Sequence, residues 1–273
     1  MVEKDSKYRL FDLPEVTRFL FHPRQETIGD SNDLSYTELQ IPVEEQVSIG
    51  GRFYFSNKNS PNLIFFHGNG EIVADYHDIA ALFYRMNVNF IPVDYRGYGK
   101  SSGSPTVSNM MSDCHIIFKF IKDYLAKQQY TGAVVIMGRS LGSASALEIV
   151  SNYADEIDGL IIESGFAFAV PLLQLLGINT DLLGLAEDEG FNNYSKIESF
   201  SKPTLIIHAE FDHIIPFSDG RHLFNKSSDE NKKLLMIPGA NHNDILARGL
   251  EVYMTAIKEL IERSITFRDA EYI

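Results

Sequence analysis

The sequence predicts an α/β protein built on a mostly parallel central sheet with helices on both faces. Two observations carry that prediction. Apolar runs of strand length recur at residues 62–66, 88–93, 133–137, 159–162, 204–207 and 234–237. They lack the polar alternation of a half-wet sheet, as expected of parallel strands covered on both sides. Between them, apolar residues recur at helical spacing: Ile79, Leu82, Phe83 and Met86; Val107 through Cys114 and Phe118 to Leu125; Ala144, Leu147 and Val150; and Leu250 through Ile257 to Ile261. Each set marks one buried helical stripe, and strand alternating with helix defines the class.

The front of the chain differs. Residues 36–43 mix apolar and polar side chains, and Val47-Ser48-Ile49 meets Arg52-Phe53-Tyr54-Phe55 across Gly50-Gly51, which reads as a hairpin turn. Antiparallel strands are therefore expected on the sheet's first edge, preceded by a short segment, 10–24, lying against the body. From 164 to 201 no strand signal appears, while Val170-Pro171-Leu172-Leu173 and Leu182-Leu183-Gly184-Leu185 read as short apolar helices. Such a stretch between two strands predicts a small helical cap inserted after the sixth strand. No linker or repeat divides the 273 residues, so one domain is expected over 1–273.

Composition narrows the function. Twenty-four Lys and Arg against thirty-seven Asp and Glu give a net charge of -13, the wrong sign for binding a nucleic-acid backbone. No apolar run reaches the roughly 18–20 residues of a membrane span, and the first ten residues carry five charges and no signal-peptide core. A cytoplasmic protein without a membrane anchor is expected. The single cysteine, Cys114, excludes an internal disulfide and falls on an apolar helix stripe, where it reads as inert core.

The strongest chemical signal is Gly138-Arg139-Ser140-Leu141-Gly142, directly after the run 133–137 and at the start of a helical stripe. A serine on a sharp strand-to-helix turn needs small neighbours and stands exposed above the sheet. Its hydroxyl is a weak nucleophile unless a base and a group orienting that base stand beside it. Asp212 follows the run 204–207 and His242 follows 234–237, so Ser140, Asp212 and His242 are expected to converge at the strands' carboxyl ends. Backbone N–H groups for a developing oxyanion are offered by Leu141 and, from the loop His67-Gly68-Asn69-Gly70-Glu71, by Asn69, with Gly70 as the other choice.

These motifs, together with Asp94-Tyr95-Arg96-Gly97-Tyr98-Gly99-Lys100-Ser101-Ser102-Gly103 and Gly239-Ala240-Asn241-His242-Asn243-Asp244, resemble the α/β-hydrolases. Within them the chain is similar to the Bem46-like serine hydrolases, which include the α/β-hydrolase-domain-17 protein depalmitoylases. The resemblance implies the α/β-hydrolase fold and cleavage of carboxylic esters or thioesters through an acyl-serine, with no cofactor. The depalmitoylases carry a cysteine-rich amino-terminal segment, whereas this chain has no cysteine before Cys114.

Rival readings remain at single residues. Glu163, at the end of the run 159–162, occupies the alternative acid position. Asp94 reads as a structural carboxylate fastening its loop and Arg96, and His67 as a turn residue. His208, Asp212 and His213 with His242 compose a metal-like set, but no His-Glu-x-x-His helix accompanies them and no metal is expected. Leu172, Leu173, Leu175, Leu176, Ile178, Leu182, Leu183 and Leu185 are expected to wall an acyl cleft. Serine peptidase activity and a non-catalytic binding protein on the same fold are the competing functions.

Overall fold

The computed structural model describes residues 6–27 and 34–271. Among them, eight strands form one sheet: β1 (Thr37–Glu44), β2 (Val47–Phe53), β3 (Asn62–Phe66), β4 (Asn89–Val93), β5 (Val134–Arg139), β6 (Gly159–Glu163), β7 (Thr204–Ala209) and β8 (Lys233–Ile237). Their order is β1-β2-β4-β3-β5-β6-β7-β8. β1 pairs antiparallel with β2 and β2 with β4, while every pair from β4 through β8 is parallel. The helices are α1 (Pro14–Leu20), α2 (His77–Arg85), α3 (Val107–Lys127), α4 (Gly142–Asn152), α5 (Ala169–Leu175), α6 (Thr180–Leu183), α7 (Asn193–Lys196), α8 (Phe217–Lys226) and α9 (Ile245–Glu271), the last bent at Gly249.

The apolar runs are continuous because both faces of each central strand are buried. In β5, Val134 and Ile136 face the core shared with α3, α4 and α8, while Val135 and Met137 face the core shared with α2 and α9. Burying each such side chain contributes about 1.5–3 kcal/mol. After β4 the chain crosses back over β3 to lay down β5. The loops following β3 and β5 therefore leave neighbouring strands in opposite winding directions, which opens a crevice at the sheet's carboxyl edge.

The glycine pair at 50–51 is not the hairpin turn. β2 runs straight through it, and the reversal falls at Glu45-Gln46, since Glu44 pairs with Val47 and Thr37 with Phe53. The glycines serve a close approach instead. A Cβ on Gly51 would stand 3.1 Å from the Pro92 carbonyl oxygen, and Gly50 N–H donates to Ser101 Oγ at 2.8 Å. Helix α8 gave no sequence signal because Leu223 and Gly220 are its buried residues, a stripe too thin to read.

The segment between β6 and β7 is fastened to the helix behind Ser140 by an ion cluster. Lys196 of α7 pairs with Glu148 of α4, whose other oxygen faces His115 Nε2 of α3 at 3.2 Å. Burial alone would raise the Glu148 carboxyl, but the hydrogen bond with His115 and the Lys196 charge outweigh it and bring the group down to about 2. A carboxyl lowered by folding stabilises the fold above its unfolded value of about 4.3, and that stabilisation is lost as pH falls toward 2. Glu148→Gln is accordingly expected to lower Tm at pH 7, with the gap to wild type shrinking at pH 3. Calorimetric melts at the two pH values check this, and an undiminished gap would refute it.

Candidate active site

Ser140 sits in the turn between β5 and α4 with φ +51°, a left-handed conformation that costs a non-glycine residue about 1–2 kcal/mol. The neighbourhood enforces it. Ser140 N–H donates to the Glu163 carbonyl at 2.8 Å, and Ser143 Oγ donates to the Ser140 carbonyl at 2.6 Å. The flanking glycines are obligatory: a Cβ on Gly138 would lie 2.4 Å from the Gly142 carbonyl oxygen, and one on Gly142 would lie 2.1 Å from that of Phe66. The hydroxyl is thereby thrown up at the start of α4, where the helix's partial positive end favours negative charge.

The three side chains read from distant parts of the sequence meet here. His242 Nδ1 lies 2.7 Å from Asp212 Oδ2, and His242 Nε2 lies 3.0 Å from Ser140 Oγ. The carboxylate only accepts, so Nδ1 holds the proton and Nε2 accepts from the serine hydroxyl. Asp212 follows β7 and is itself fixed, its Oδ1 accepting from Ile214 N–H at 3.0 Å and Ile215 N–H at 2.8 Å. Burial pushes the Asp212 carboxyl up, but the hydrogen bond and charge of His242, with the Ile215 N–H, hold it below its ordinary range. All three residues are buried in the fold.

The other candidates are engaged elsewhere. Glu163 does not reach His242; it takes Arg139 Nη1 at 3.0 Å and the Tyr253 hydroxyl at 2.6 Å. Asp94 accepts from Val73 N–H at 2.9 Å and stands 3.3 Å from His67 Nε2. The expected link between Asp94 and Arg96 is absent: Arg96 forks onto Asp113 at 2.7 and 2.8 Å and reaches Glu44, because its side chain turns toward α3. His67 is fully buried, its Nδ1 donating to the Gly68 carbonyl. His208 Nε2 bonds the Ile215 carbonyl at 2.8 Å, whereas His213 is exposed. Among the described residues no group of three His, Cys, Asp or Glu is placed to hold a metal ion. Cys114 is buried, which pushes its thiol well above the ordinary range.

A cavity of about 270 Å³ opens over Ser140 and His242. Leu141 and Asn69 line it, and neither backbone N–H is spent on a hydrogen bond inside the described residues. Of the eight apolar residues expected to wall the cleft, Leu172 and Leu176 line the cavity; Leu173, Ile178 and Leu185 are buried in the core, Leu183 packs half-buried against it, and Leu175 and Leu182 face solvent. Phe166, Ile214 and Ile215 complete the apolar wall together with Phe19 and Leu20 from α1.

The sequence did not mark that amino-terminal contribution, nor His22 beside it. Asn69 Oδ1 accepts from His22 N–H at 2.8 Å and from the Tyr98 hydroxyl at 2.7 Å, which turns Asn69 Nδ2 onto His22 Nδ1 at 2.7 Å. Since an amide nitrogen only donates, the His22 ring carries its proton on Nε2. The Arg139 and Glu71 pair was also missed. A lone cation inside the strand-to-helix turn and an acid closing the His67-Gly68-Asn69-Gly70-Glu71 loop were the signal available, and they join at 2.8 Å.

Sheet order and helix placement give the chain the α/β-hydrolase fold, and in sequence it is similar to Bem46-like proteins. The family model described as serine aminopeptidase, S33, matches residues 57–182. Protein bem46 of Schizosaccharomyces pombe is 25% identical over 218 residues, covering 78% of this chain and 72% of the relative. Human α/β hydrolase domain-containing protein 17B is 29% identical over 216 residues, covering 76% and 69%. An esterase of Pyrococcus furiosus superposes with a TM-score of 0.71 at 17% identity, covering 90% of this chain and 98% of that one. Est1E of Butyrivibrio proteoclasticus, whose structure holds ferulic acid, gives 0.67 at 20% identity, covering 84% and 99%. These two likenesses are likenesses of fold.

The elbow's steric argument has a direct consequence. Gly142→Ala drives a methyl group into the carbonyl end of β3, backbone that has no room to yield. A loss of roughly 2 kcal/mol or more is expected, read as a Tm lowered by several degrees; an unchanged melt would show that the turn relaxes freely.

Proposed function

We propose that the chain is a serine hydrolase that cleaves carboxylic esters or thioesters through an acyl intermediate on Ser140. The observation that carries this reading is the continuous row from Ser140 Oγ through His242 to Asp212, with links of 3.0 and 2.7 Å. In this reading His242 Nε2 takes the hydroxyl proton as Oγ attacks the substrate carbonyl carbon. Asp212 holds the ring by Nδ1–H and stabilises the imidazolium. The N–H groups of Leu141 and Asn69 receive the oxyanion, and the imidazolium then returns its proton to the departing alcohol or thiol. Water activated by the same imidazole releases the acid, so the cycle draws on no cofactor.

The cavity suggests what the acyl group is. Its walls are chiefly apolar, and its volume of about 270 Å³ equals that of roughly nine waters at about 30 Å³ each, room for a short to medium acyl chain. Segment 164–201 acts in this reading as a small cap, with Leu172 and Leu176 as the part touching the chain. Esterase names among the solved structures that share the fold support ester chemistry. The matching family model's description as serine aminopeptidase makes amide cleavage the second reading to compare.

A fluorophosphonate probe is expected to label Ser140 in the native chain, and short-chain nitrophenyl esters, acyl-thioesters and aminoacyl amides compared side by side rank the three substrate classes. Well-folded protein that takes no label would favour a binding protein on a hydrolase scaffold. Ser140→Ala should lose at least roughly 10³-fold in turnover with little change in melting, while Asp212→Asn should lose about 10⁴-fold by presenting the wrong tautomer partner. Glu163→Gln should cost less than Asp212→Asn; the reverse order would reassign the acid.

A further inference from the structure

Arg139 is the residue immediately before Ser140, yet its side chain leaves the elbow on the side away from the apolar cavity. It is buried, and each of its three nitrogens has a separate acceptor. Nε donates to Glu71 Oε1 at 2.8 Å, Nη1 to Glu163 Oε1 at 3.0 Å and Nη2 to the main-chain carbonyl of His242 at 3.0 Å. Every oxygen of the two carboxylates is occupied: Glu71 Oε2 accepts from Gly68 N–H at 2.7 Å and the Tyr76 hydroxyl at 2.5 Å, and Glu163 Oε2 from the Tyr253 hydroxyl at 2.6 Å. A largely buried polar network satisfied at every nitrogen and carboxylate oxygen is rigid, because moving a member costs paired charge in a low dielectric.

The network's anchor points are the loops that the proposed chemistry needs. Gly68 precedes Asn69 in the loop after β3, Arg139 is the last residue of β5 at the entry to the elbow, and the accepting carbonyl belongs to His242 itself, after β8. We infer that Arg139 is a positioning residue, whose planar fork sets the His242 main chain and, through Glu71, the Gly68-Asn69 turn against the Ser140 elbow. The inference rests on the serine hydrolase reading, since it assigns Arg139 a role in placing that reading's base and oxyanion donor. The charges agree with it: burial opposes ionisation of both Glu71 and Arg139, but their mutual attraction, with Glu163 acting on Arg139, holds Glu71 below and Arg139 above their ordinary values. A second cavity, about 340 Å³, lies behind the network and is lined by Glu71, Arg139, Glu163 and Tyr253. Glu71, from the network, and Asn243 line both cavities.

Lysine separates positioning from mere charge balance. An ammonium keeps the cation opposite Glu71 and Glu163 but is a single point that cannot serve three acceptors lying in three directions. The test compares wild type, Arg139→Lys and Arg139→Met in kcat and KM on a short-chain nitrophenyl ester, in fluorophosphonate labelling rate, and in melting. Because a displacement of about 1 Å at such a site costs on the order of 10²-fold, Arg139→Met is expected to lower kcat by about that factor with KM within roughly threefold. Arg139→Lys is expected to fold and still lose about tenfold or more, with labelling slowed in step. A folded Arg139→Lys with kcat and labelling within threefold of wild type overturns the inference, and so does a folded Arg139→Met that loses only melting temperature. Should Arg139→Met not fold, the lysine variant decides alone. Wild-type protein that neither labels nor turns over any of the esters, thioesters or amides would defeat the serine hydrolase reading itself and take the inference with it, an outcome distinct from active wild type with active variants.

Discussion

The left-handed backbone at Ser140 is the constraint from which the rest of the site follows. A serine does not adopt φ +51° unaided; here the carbonyl ends of neighbouring strands and two side-chain-free positions around it leave no other path from β5 into α4. The same device recurs one strand over. Ser164, just past β6, has φ +45° and donates its N–H to the Ile207 carbonyl on β7. Two adjacent strands thus end in strained, well-anchored breaks, and the segment that leaves at Ser164 begins close to the edge where the serine hydroxyl stands. Local strain of this kind persists because the two-faced core beneath it over-determines the geometry.

Electrostatics divides the site into two territories. Beside His242, the Asp212 carboxylate is surrounded by two backbone N–H groups and an imidazole, which hold it below its ordinary range despite burial. Behind the elbow, Glu163 and Glu71, the latter also bordering the cavity, converge on Arg139. Glu163 is held by Arg139 and Tyr253, and the acidic neighbour in hydrogen-bond contact with His242 is Asp212.

Much of this was legible in the sequence, for identifiable reasons. Strands buried on both faces announce themselves as unbroken apolar runs, and β3 was read to its last residue. The Gly-x-Ser-x-Gly turn, the strand-end Asp212 and the strand-end His242 stood out because each combines a reactive residue with a position in the alternation. What escaped depends on contacts between distant segments. Nothing in Gly50-Gly51 distinguishes a turn from a strand pressed against β4, and nothing local says that Arg139 will meet Glu71 and Glu163 or that Arg96 prefers Asp113 to Asp94. The eight apolar residues between β6 and β7 looked alike, yet they are distributed among cavity wall, core and solvent according to which side of a one- or two-turn helix faces the body. Helix α8 was invisible for the complementary reason, since most of its surface is wet.

Part of the cavity's lining has a separate origin from its floor. Phe19, Leu20 and His22 come from the chain's opening segment, and Leu172 and Leu176 from the detour between two strands, whereas Ser140 and His242 are mounted directly on the sheet's rim. Walls hung on excursions from the framework are free to be rebuilt, lengthened or exchanged while the framework holds Ser140 and His242 in register. On the proposed function, the architecture therefore uncouples what the molecule would select from what it would do, and a new taste for substrates would require no new catalyst.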